Sequence, residues 1–159
     1  MAVFNQHVVS TPTLVTSEYN VGNSLGGKLN VTVNSIASNI PLYFESAMLY
    51  DSDNHATNIE VILFDEDPTS STIIDNTDFV LDSNDYNKLV CNFNFDSNSY
   101  ITHGNLGVYG HMRKILLNGL SGGDTLYLVL VENSKVVNSD VSNISRSTDG
   151  LTLKFNITG

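Results

Sequence analysis

Carboxylates are the side chains on which this sequence could most readily build chemistry, and they come in clusters. Asp65, Glu66 and Asp67 form one run, Asp75 and Asp78 the next, Asp82 and Asp85 lie just beyond, and Asp51 and Asp53 share an earlier turn. Two carboxyl groups held about 5 to 10 Å apart in space can hydrolyse a glycosidic bond. A set of oxygens at alternate loop positions can bind calcium, but an EF-hand loop opened at Asp51 would need an oxygen at position 5, glycine at 6 and glutamate at 12. The chain places His55, Ala56 and Ile62 there. The four histidines, His7, His55, His103 and His111, lack the spacing of a zinc site. Ser121 lies in GLSGGD, not in a G-x-S-x-G elbow. The single Cys91 sits in a strand pattern where a thiol is packing, not a nucleophile. Gly22, Gly26 and Gly27 do not spell a phosphate loop and are expected to be turn glycines. We therefore expect no catalytic residue, no cofactor and no metal, and a protein that is not an enzyme.

The elements that must carry these loops are strands. Asn, Ser and Thr are abundant and strong helix formers scarce, a mixture suited to strands joined by turns. Val61 to Phe64 is an unbroken apolar run, expected to be covered on both faces. It pours straight into Asp65-Glu66-Asp67-Pro68, which must leave the interior for solvent. Asp82 reads as the N-cap of a helical turn over Ser83 to Lys88. Leu29, Val31 and Val33 alternate, as do Leu151, Leu153, Phe155 and Ile157, while PLYFESAMLY and TLYLVLVE read as core strands. Phe93 and Phe95 share one strand face. Gly110 suggests a strand with a bulge or bend between Leu106 to Tyr109 and Met112 to Leu117, and residues 133 to 148 read as an irregular excursion anchored by Val136, Val137, Val141 and Ile144. The count is about eight strands and one short helix. The expected fold is all-β, an antiparallel β-sandwich of jelly-roll type. Residues 1–18 read as an extended N-terminal arm or edge strand, followed by a single sandwich domain over 19–159.

Seven Lys and Arg stand against 17 Asp and Glu, a formal charge of −10, so neither nucleic acid nor an anionic membrane is an expected partner. No segment reaches the ~20 apolar residues that span a bilayer, and MAVFNQHVVS has no secretory pattern.

One ordered set of residues goes further: Ser17-Glu18-Tyr19-Asn20-Val21-Gly22 leading to Gly26-Gly27, then Leu63-Phe64-Asp65-Glu66-Asp67-Pro68 and Thr69 to Thr72, then Asp75-Asn76-Thr77-Asp78-Phe79, then Asp85 and Lys88. Over roughly residues 15 to 157 the chain resembles the auxiliary capsid, or head decoration, proteins of tailed phages, including crAss-like phages; the most specific part is LFDEDPTSSTIIDNTDF. The resemblance implies a structural virion protein on the capsid exterior, bound to the major capsid protein, with a homo-oligomer, a trimer by shell symmetry, as the expected assembly. Within that expectation Phe4, Val8 and Val9 would anchor the arm to a neighbour, and Asp65, Asp67, Asp75 and Asp78 would either make a subunit contact or build a tight acidic turn over the sandwich end. A second class of function is a carbohydrate- or receptor-binding module using Tyr100 and Tyr109 as stacking platforms.

Overall fold

The computed structural model describes residues 5–34, 41–104, 106–117, 124–133 and 144–159, apart from the side chains of 111–114. The strands are β1 (Asn5–Ser10), β2 (Glu18–Tyr19), β3 (Ser24–Thr32), β4 (Leu42–Asp51), β5 (Ile59–Phe64), β6 (Leu89–Phe95), β7 (Ile101–His103), β8 (Leu106–Leu117), β9 (Thr125–Glu132), β10 (Ile144–Ser145) and β11 (Leu151–Thr158). Two 3₁₀ turns, Ser83–Lys88 and Ser97–Ser99, are the helical elements among the described residues. Asp82 caps the first by accepting from the Asn84 N–H, as its position suggested.

Every strand pair is antiparallel. One sheet runs β1-β11-β4-β8-β7, the other β3-β9-β5-β6, and β2 pairs with β10 apart from both. With the two- and three-residue strands β2, β7 and β10 set aside, eight remain. In chain order they form one sheet of first, eighth, third and sixth, and another of second, seventh, fourth and fifth. The fold is a jelly roll.

Period-2 patterning explains where the core lies. In β11 the residues Leu151, Leu153, Phe155 and Ile157 are all buried while their neighbours are half-exposed. On the inner face of the larger sheet the rings of Phe44 and Phe155, from neighbouring strands, stack at 5.2 Å, and across the sandwich Phe44 meets Phe93 of the opposite sheet at 5.4 Å. Strand β5 is covered on both faces, as its unbroken apolar run required: Val61 and Leu63 face this core, whereas Ile62 and Phe64 face outward into a second cluster with Val129 and Val131.

Several local expectations change. Gly22 does sit in a turn, but Gly26 and Gly27 lie inside β3, with φ of +77° and +70°, at a register break between Ser24 and Lys28. Consecutive left-handed residues make a bulge that only glycine tolerates cheaply, and a Cβ on Gly26 would stand 2.3 Å from the Cβ of Pro12. Strand β8 runs straight through Gly110, and its bulge falls later, where Met112 pairs with Ser46 and Ile115 with Phe44. Between Phe95 and Leu106 the chain makes the Ser97–Ser99 turn and the short strand β7. The N-terminal segment pairs along β11 from Asn5↔Thr158 to Ser10↔Leu153 as an edge strand of the larger sheet, the second of the two forms expected for it. Phe4, the GLSGG part of the 119–124 turn, and Val136, Val137 and Val141 lie outside the described residues.

Candidate functional site

The acidic segment between β5 and β6, residues 65–88, leaves the sandwich as its charges demand and then folds back over it. We call it the clasp. Ile73, Phe79 and Leu81 return to cover Ile62, Phe64, Val129 and Val131 on the outer face of the smaller sheet. Backbone bridges from Asn23 to Asp78 and from Ser24 to Asp75 tie it down, and one between Thr72 and Val80 closes it on itself.

Most of its carboxylates are engaged within the chain. Asp75 accepts from the Tyr19 hydroxyl at 2.8 Å and the Gly26 N–H at 2.7 Å with one oxygen, and from the Val15 N–H at 2.8 Å with the other. The Tyr19 phenol is raised well above its ordinary value, first by burial and then by the Asp75 carboxylate it donates to. Asp78 accepts from the Asn23 amide at 2.9 Å. Asp67 pairs with Lys28, and its carbonyl accepts from the Lys88 ammonium at 2.7 Å. Asp65 is half-buried, and desolvation raises its carboxyl.

Asp85, one of the fully buried acids, is the hub of the clasp. Burial alone would raise its carboxyl. The Lys88 ammonium at 2.7 Å, the Ser71 hydroxyl at 2.7 Å and the N–H groups of Ser71 and Ser70 outweigh that and hold it at about 2. Hydrogen bonding to Asp85 raises Lys88 in turn. These contacts brace the segment from within the chain. Among its exposed side chains are Glu66 and the apolar Ile74, Val80 and Tyr86, these three 61%, 55% and 60% exposed.

On β1 the two valines divide. Val8 points inward and belongs to the core, while Val9 is 55% exposed. Tyr100 and Tyr109 face each other at 5.6 Å between ring centres, and Tyr109 also meets Phe95 edge-on at 5.1 Å. Both are half-buried against the core, and burial raises the Tyr100 phenol.

A buried ionic cluster at one end of the sandwich went unnoticed in the sequence. The Arg146 guanidinium, itself buried, donates to Glu132 at 2.7 Å and to the Thr57 hydroxyl at 2.6 Å, and stands 3.6 Å from Asp51. Asp51 ends β4 in the larger sheet and Glu132 ends β9 in the smaller, so one cation joins the two sheets and the segment before β11. Its partners are distant in the chain, and the one available signal was an acid closing the apolar run TLYLVLVE. Asp51 also accepts from the N–H groups of Asp53 and Ala56, so the Asp51–Asn54 turn uses its first carboxylate to shape itself. Among the described residues no group of three or more His, Cys, Asp or Glu side chains is placed to hold a metal ion.

No family model and no curated protein matches the chain. Among solved structures it is similar to the infectious bursal disease virus VP2 subviral particle, at 11% identity and a TM-score of 0.47, covering 98% of this chain and 32% of that one. It is also similar to the Gx strain of that virus, at 10% identity and a TM-score of 0.47, again over 98% and 32%. The Gt strain follows at 12% identity and a TM-score of 0.37, over 99% and 32%. The chain spans about a third of the length of these viral proteins.

Proposed function

We propose that this protein is a structural component of a phage virion that decorates the outside of the head by binding the major capsid protein. The observation that carries the reading is the clasp. The segment on which the resemblance to head decoration proteins is most specific, residues 63–79, is the one that this jelly roll folds back and locks over its own sheet. A module that closes one of its outer faces by itself is suited to sit exposed on a particle. Its net charge of −10 favours the side of a shell away from packaged nucleic acid. Oligomerisation on the shell, with threefold symmetry, belongs to the same proposal.

The test is co-sedimentation of the purified protein with heads assembled without it, followed by heating or chelator treatment of the loaded heads. Binding with raised resistance is the expected result. A protein that stays in the supernatant at every concentration tried ends the proposal, and specific signals on a glycan array would put a receptor-binding module in its place.

A further inference from the structure

The two sheets meet the same physical problem in different ways. Both carry apolar side chains on their outer faces, and the clasp covers those of the smaller sheet. The larger sheet has no such cover among the described residues. Its register places Val9, Lys154 and Met48 in one row across β1, β11 and β4, and cross-strand partners point to the same side of a sheet. Tyr43 and Leu116 share a second outward row, and Tyr50 and Ile101 flank Val108 in a third. Val9, Met48, Leu116 and Ile101 are 55%, 41%, 42% and 62% exposed. Near the middle, an open groove of about 220 Å³ is lined by His7, Met48, Tyr50, Lys154 and Asn156 among others.

Charge says what fits this face. The clasp holds seven of the chain's 17 acids, whereas the rows just described hold none, and Glu45 falls in the bulge between rows. The charged group in them is Lys154, whose ammonium lies 4.7 Å from the centre of the Tyr50 ring. The same face of a second copy would bring another Lys154 in these rows and no carboxylate to pair with it.

Resting on the proposed function, we infer that the outer face of the β1-β11-β4-β8-β7 sheet is the surface that docks on the shell, against an apolar patch of the capsid protein that offers a carboxylate to Lys154. The clasp then faces away from the particle.

The experiment compares four proteins in the co-sedimentation assay: wild type, Met48→Glu, Lys154→Glu and, on the clasp, Ile74→Glu. All three substitutions fall on exposed or half-exposed side chains, and unchanged circular dichroism and thermal transitions establish that each variant is folded. The expected result is that Met48→Glu and Lys154→Glu weaken binding at least ~10-fold, the size of losing an interface anchor, while Ile74→Glu binds like wild type. If wild type and both sheet variants bind alike, or Ile74→Glu alone loses binding, the inference is overturned and the proposed function stands. If wild type does not bind at all, both fall. Sedimentation velocity supplies the remaining arm: a wild-type dimer that Met48→Glu dissolves assigns the face to a second copy and overturns the inference.

Discussion

At the scale of single residues, hydrogen bonds converge on a few carboxylates that each accept several. Asp85 takes four such contacts in a site without solvent, and Asp75 takes three. Because the Asp85 carboxyl is held at about 2 in the folded chain, against 3.8 for an ordinary aspartate, the folded state prefers the ionised form more strongly than the unfolded chain does. Its contribution is therefore complete above the unfolded value and disappears as pH falls through about 2. Urea midpoints measured at steps from pH 5 down to pH 2 should fall across that window. Asp85→Asn should start lower at pH 5 and show a shallower fall. An unchanged slope in the variant would mean that the acid sensitivity arises elsewhere.

At the scale of elements, the clasp is a third layer laid over half of the sandwich. Phe79 reaches back to the Phe64 and Val129 cluster, whereas Ile74, six residues after Pro68, stands outward. Truncating a half-buried aromatic removes part of the ~3–5 kcal/mol that a fully buried one contributes, so Phe79→Ala should cost about 2 kcal/mol. Ile74→Ala should stay within about 0.5 kcal/mol, as surface changes do. Chemical denaturation of the two variants checks the contrast, and equal losses would show that the clasp is not packed as described.

Several strands were legible because alternation or an unbroken apolar run marks them, as in β11 and β5. The return of the clasp was not, because its covering residues come as isolated apolar positions between Asx-rich turns, with neither a period of 2 nor one of 3.6 to reveal a face. Gly26 and Gly27 misled for a related reason. A pair of glycines reads as a turn, and only the approach of Pro12 and the N–H bond to Asp75 show a bulge in a continuing strand. Of the acids that the sequence marks out, the structure gathers Asp67, Asp75 and Asp78 into one brace, while Asp85 at its centre belongs in the sequence to a helical turn and to the resemblance, with no sign that it is the hub. Arg146 left no local trace, since a buried cation set in a connecting segment, with partners at the ends of β4 and β9, is a property of topology.

At the scale of the whole molecule, an excess of acid acts on a fold whose strongest ion pairs are internal. Repulsion among solvated carboxylates reaches about 30 Å at 10 mM salt and about 8 Å at 150 mM, while buried pairs such as Arg146 with Glu132 are screened far less. The thermal transition should therefore rise as sodium chloride is added from 10 to 150 mM. A fall would show that exposed attractive pairs dominate.

The pairing of β1 with β11 has a practical outcome. Asn5 lies opposite Thr158, so the outer ends of these neighbouring strands share one corner of the molecule. A fluorophore or peptide cargo grafted beside either residue would emerge from the same spot, and two different cargoes could be presented there as adjacent partners, within energy-transfer distance of each other.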